Sequence, residues 1–193
     1  HKTYMGIDER RDHSIRIPRP DHTVEYGTPN ACNKCHIDKD AKWAADAVEK
    51  FKGPDRPEDV RHPEAFHAFR NNKPEEESLL LEVCRDSDSP AFTRAGAMLA
   101  LRRFISDASF DEARRNLDAN DSVVRVAAIS KLEDLSDADT HRELIPMLKD
   151  PIRSVRTEAA RILARAPETL FTRNDLEIFN EVFAELELRY TSN

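Results

Sequence analysis

Apolar positions in this chain recur mainly at helical spacing. Trp43, Ala44, Ala47, Val48 and Phe51 mark one face of AKWAADAVEKF, which predicts a helix ending at Gly53-Pro54. A short helix follows in EAFHAFRNN, with Pro63 just inside its start and Pro74 after its end, where proline is tolerated. Near the C-terminus Leu176, Phe179, Val182, Phe183, Leu186 and Tyr190 share one face of NDLEIFNEVFAELELRY, as on a capping helix. Residues 1 to about 30 differ. Three prolines, one glycine and alternating polar residues in RIPRPDHTVEYGTPN preclude a long helix and predict an extended strap packed on something else.

From about residue 75 to 167 the pattern repeats. Arg94, Arg125 and Arg156 stand 31 residues apart, and the same step links Ala97, Ala128 and Ala159, then Leu101, Leu132 and Leu163. This is one helix written three times. A partner helix repeats more loosely, with Leu117 and Leu148, and Phe110 and His141, also 31 apart. Each unit is therefore expected to pair two helices, with alanines where backbones approach closely and leucines in the layer between units. Asp121-Ser-Val-Val-Arg125 and the run from Asp150 to Arg156 resemble the HEAT repeat. In that family the arginine bonds across to a neighbouring aspartate, so Arg94, Arg125 and Arg156 are expected to be structural. Cys84 lies among apolar neighbours in SLLLEVCRD and is expected to be a buried core thiol.

Composition narrows the function classes. The 193 residues are 39% hydrophobic and 35% charged, which suits one domain or two small ones. A net charge of −7 argues against a nucleic-acid partner, since phosphate binding needs a basic surface. The many acidic residues read as solvated helix faces. No apolar run is long enough for a membrane span, and nothing reads as a signal peptide. A start at His1 without Met leads to the expectation that this chain is not the primary translation product. No Ser-His-Asp arrangement or Gly-rich phosphate loop stands out, which leaves hydrolase and kinase chemistry unsupported.

The run Cys32-Asn33-Lys34-Cys35-His36 carries the chemistry. C-x-x-C-H is the pattern of c-type haem attachment, in which two thiols add to the two vinyl groups on one porphyrin edge. The adjacent histidine then becomes the proximal iron ligand. A zinc site would call for a second ligand pair, whereas Cys84 is the only further cysteine. A thioredoxin-like dithiol would need a βαβ setting, and helix follows His36 instead. For a second axial ligand the candidates are His13, His22, His62, His67 and His141, with Met5, Met98 and Met147 behind them. His67 sits between Phe66 and Phe69 on the short helix, which can run back towards the iron. His141 occupies the place of Phe110 in the preceding repeat and is expected to be a packed histidine at a helix start.

The stretch RRDHSIRIPRPD, then GTPNACNKCH, a Trp-Ala-Ala helix, AFHAFR and the arginine-marked repeats resembles the C-terminal part of periplasmic multihaem c-type cytochromes. Those proteins join a doubled C-x-x-C-H module to HEAT repeats. The resemblance runs from about Lys2 to Ala166, and its haem-proximal motifs are specific while its repeats are generic. It implies an all-α fold: a c-type haem-binding helical segment with an extended N-terminal strap over 1–74, then a HEAT-like α-solenoid with a capping helix over 75–193. It further implies haem c held by Cys32, Cys35 and His36, with His67 or His13 as the distal iron ligand, His13 because RRDHSIR matches a family signature. The implied role is electron transfer outside the cytoplasm to redox partners or adjacent haem domains, as one haem of a series. A protein-interaction or haem-sensor module whose helical surface binds a partner, and an oxidoreductase with an open iron, remain as alternatives.

Overall fold

The structure, a computed structural model, describes residues 3–4, 10–11, 18–52 and 62–191. Apart from one short antiparallel ladder, all regular structure among them is helical. The chain folds as two compact units, His1–Asp59 and Val60–Asn193.

In the first unit β1 (Thr3–Tyr4) pairs with β2 (Arg10–Arg11), Thr3 opposite Arg11 and Tyr4 opposite Arg10. Helix α1 spans Pro20–Tyr26, where the sequence reading expects extended chain. Local chemistry explains the difference. Pro20 stands in the first turn, where its missing N–H costs nothing, Asp21 complements the helix N-terminus, and Gly27 closes the last turn at φ +67°. A tight 3-10 turn, Cys32–Lys34, leads to α2, Ala41–Lys52, whose first turn is capped by Asp40 accepting from the Trp43 N–H at 2.7 Å. Helix α1 packs against α2.

The second unit contains α3 (His62–Arg70), α4 (Glu76–Arg85), α5 (Ala91–Ala100), α6 (Asp107–Asn116), α7 (Ser122–Leu132), α8 (Asp137–Leu144), α9 (Arg153–Leu163) and α10 (Arg173–Thr191). The sequence reading groups α3 with the haem segment. In the structure it buries Ala65 and Ala68 and packs on α4 and α5. Helices α5, α7, α9 and α10 pack in succession, and Ala97, Ala128 and Ala159 are each 0% exposed. With no side chain beyond Cβ, alanine lets neighbouring helices approach closely, and Leu101, Leu132 and Leu163 fill the layers beside them. On α10, Val182 and Leu186 are buried, as expected of a capping face.

Each repeated arginine ties its own unit to the next. Arg94 donates to the Cys84 carbonyl at 3.1 Å and to Asn116 at 3.2 Å. Arg125 reaches the Ala119 carbonyl at 2.7 Å and Asp150 at 2.8 Å, and Arg156 bonds the Asp150 carbonyl at 3.3 Å and pairs with Glu185 at 2.9 Å. Carbonyls at the end of α4 and in the turns that precede α7 and α9 are thereby satisfied.

Glu112 departs from the solvated-face expectation for the acidic residues, and Lys131 is a second buried charge. Glu112 is 2% exposed and accepts from Arg85 at 2.7 Å and Asn116 at 2.9 Å. Lys131 is 0% exposed, donates to the Phe104 carbonyl at 2.6 Å and lies 3.9 Å from the Phe110 ring centre. Burial holds the Lys131 ammonium below its ordinary pKa.

Two substitutions separate packing from pairing. Ala128→Leu is expected to overpack the contact between α5 and α7 and cost about 1–3 kcal/mol in urea unfolding. Arg125→Ala strands the Asp150 carboxylate, whose side chain is 7% exposed, and is expected to cost more, about 3–5 kcal/mol.

Candidate functional site

The site begins with one carbonyl. The N–H groups of Cys35 and His36 both donate to the oxygen of Cys32, at 3.1 and 2.9 Å, which winds the two thiols and the imidazole into a single turn. Side chains fasten that turn on both sides. Asn30 accepts from the Asn33 N–H at 3.1 Å and donates to Thr23 on α1 at 2.9 Å. Asn33 donates to the carbonyls of Lys39 at 2.8 Å and Asp40 at 3.2 Å, at the threshold of α2.

Cys32, Cys35 and His36 line one cavity of about 480 Å³ together with Pro18, Ala31, Trp43, Ala44, Ala47, Val48 and Phe51. Its volume lies in the range of cofactor pockets, and its walls are almost wholly apolar. The His36 ring packs against Trp43 with centroids 4.8 Å apart. Ala44, Ala47, Val48 and Phe51 come from one face of α2, the stripe that the helical spacing marks. Two sulfurs and an imidazole at one end of an apolar wall can bind a flat hydrophobic group covalently and ligate a metal at its centre. Among the described residues no three His, Cys, Asp or Glu side chains converge as a closed metal site requires.

Other candidate ligands have definite places. His67 lies on α3 in the second unit, where Asn71 donates to its carbonyl at 2.8 Å. Met98 and Met147 are core residues of that unit, and His141, in the last turn of α8 rather than at its start, packs edge-on against Phe171 at 4.6 Å. His22 lies on α1, its ring 5.6 Å from that of Tyr26. His13 and Met5 fall outside the described residues.

One arrangement escapes the sequence, because its members are far apart along the chain. His62 bonds to Ser89, and Ser89 donates to Asp86 at 2.5 Å. The order differs from a nucleophilic triad: the serine gives its proton to the carboxylate, so the imidazole does not act as its base. Burial lowers the His62 pKa, and the chain serves to tie α3 to the turn between α4 and α5. Cys84 is buried as the sequence suggests, and desolvation pushes its thiol up to about 12.

Among known proteins, no family model, no curated relative and no solved structure matches this chain. Among the described residues no helix is long and apolar enough to cross a membrane.

The three thiols should separate in reactivity. In haem-free folded protein at pH 8, an alkylating reagent is expected to modify Cys32 and Cys35, with Cys84 reacting only after denaturation, as read by mass spectrometry. Because the folded Cys84 pKa is raised, the stability it contributes is lost as pH climbs past the ordinary thiol value towards 12. Cys84→Ala should remove that part of the slope.

Proposed function

We propose that the protein is a c-type cytochrome: a haem c held by Cys32, Cys35 and His36 that transfers electrons to redox partners or adjacent haems. The observation that carries the reading is the cavity, in which the three residues of the attachment motif share one apolar wall. A second observation supports it. Among the described side chains of the first unit only Pro20 and Ala44 are buried, while Phe51 is 90% exposed on the cavity rim. Apolar residues arranged around a cavity rather than around one another suit a segment whose core is a cofactor.

Cys32 and Cys35 would each hold the haem by adding S–H across a vinyl double bond, so that sulfur bonds one carbon and hydrogen the other. His36 would hold the iron through a ring nitrogen. When bound, the haem supplies one-electron chemistry at iron. With the group bound, Trp43, Ala47, Val48 and Phe51 would cover part of its apolar surface. The distal ligand of this reading is His13 or His67. Pro18 on the cavity wall favours His13, since the five Cα steps between them span at most about 17 Å. The second unit reads as a HEAT-like solenoid, supported by the repeated arginines and the buried alanines, and offers a surface for a protein partner. Covalent attachment of this kind would go with a periplasmic or otherwise extracytoplasmic location.

Protein matured with the haem-attachment machinery is expected to keep its pigment through acid-acetone extraction, to show a low-spin spectrum in both oxidation states and to quench the fluorescence of Trp43. Pigment passing wholly into the solvent would overturn the attachment. His13→Ala and His67→Ala then assign the distal side, since loss of the true ligand turns the spectrum high-spin and admits carbon monoxide. Ready carbon monoxide binding by the unsubstituted protein would move the reading from electron carrier to chemistry at an open iron.

A further inference from the structure

The amide of Asn33 is only half used. Its NH2 group directs both hydrogens to the carbonyls of Lys39 and Asp40, which fixes which end of the amide faces α2. Its Oδ1 is left buried, and no described group donates to it. A buried carbonyl oxygen without a donor is uncommon in a folded protein and calls for an explanation. Asn33 lies inside the attachment motif, three positions before His36. A histidine bound to metal through one ring nitrogen needs an acceptor for the N–H on the other, because that bond fixes the ring's orientation and its basicity. The motif thus holds a buried acceptor without a donor three positions before a histidine whose ring N–H ligation would fix on the nitrogen away from the metal.

We propose that Asn33 is a positioning residue of the haem site: its NH2 group locks the motif to the start of α2, and its Oδ1 accepts the second ring N–H of His36 once that histidine ligates iron. The proposal rests on the haem reading above. It makes the middle of the motif, formally a variable position, part of the control of redox potential. Accepting that hydrogen bond would make the imidazole a stronger donor to iron and favour the oxidised state. Without the bond the reduced state gains.

The test compares matured wild-type protein with matured Asn33→Ala. The variant is expected to retain its pigment in acid-acetone and to show a reduction potential shifted upward. An unchanged potential, with or without a loss of thermal stability, would reduce Asn33 to a purely structural clamp and overturn the proposal. Should the variant fail to fold or to take up haem, nitrogen NMR of histidine-labelled, reduced wild-type protein decides. The second ring N–H of His36 is expected to exchange slowly with solvent, and exchange too fast to observe defeats the idea. Failure of the underlying reading looks different, because wild-type protein then yields no covalently held pigment at all.

Discussion

The first unit is governed by a shortage of core. Helix α2 presents Trp43, Ala44, Ala47, Val48 and Phe51 to one cavity, and of these side chains only Ala44 is buried. A chain segment this short buries too little apolar surface to offset its conformational entropy unaided, and small domains of this kind lean on a covalent staple or a bound group. Everything near Cys32 is arranged to that end. A shared carbonyl winds the turn, two asparagines hold it between α1 and α2, and the apolar stripe of α2 forms the wall. The proposed haem would be both cofactor and core.

The second unit solves the same problem with repetition. Alanines at the close approaches and leucines between them supply the burial, while each arginine returns a hydrogen bond to the turn before it and reaches the helix or turn after it. Glu112 and Lys131 are the cost of that arrangement. Each is removed from water and is tolerated because its polar atoms meet partners of the right kind, two arginines and an amide in one case, a carbonyl and an aromatic face in the other.

Periodicity made the helices and the repeats legible. A spacing of 31 residues pointed to the equivalence of Ala97, Ala128 and Ala159 because burial against neighbouring helices constrains those positions in the same way. The stripe on α2 and the C-x-x-C-H turn were equally readable, since both are local. What escaped depends on contacts between distant residues. Counting prolines suggested extended chain over 20–26, but a proline in the first turn and a left-handed glycine at the end delimit a helix instead of forbidding one. Placing α3 with the haem segment followed sequence order, whereas Ala65 and Ala68 belong to the packing of the second unit. Lysine and glutamate read as surface residues until their partners are known, and the bond from His62 to Ser89 crosses 27 positions.

The reach of those bonds along the chain has a kinetic consequence. Ion pairs between successive elements of the second unit join residues 25 to 32 positions apart, as in Arg125 with Asp150 and Arg165 with Glu133, so no segment waits for a remote one to arrive. Loop closure over such short separations is quick, and low contact order goes with fast folding. Structure can begin at any adjacent pair of helices and spread outward, and unfolding can begin by fraying at either end of the array without a single decisive rupture. On the proposed haem reading the first unit would lack that freedom: it would have one turn, one wall and one covalent event to wait for.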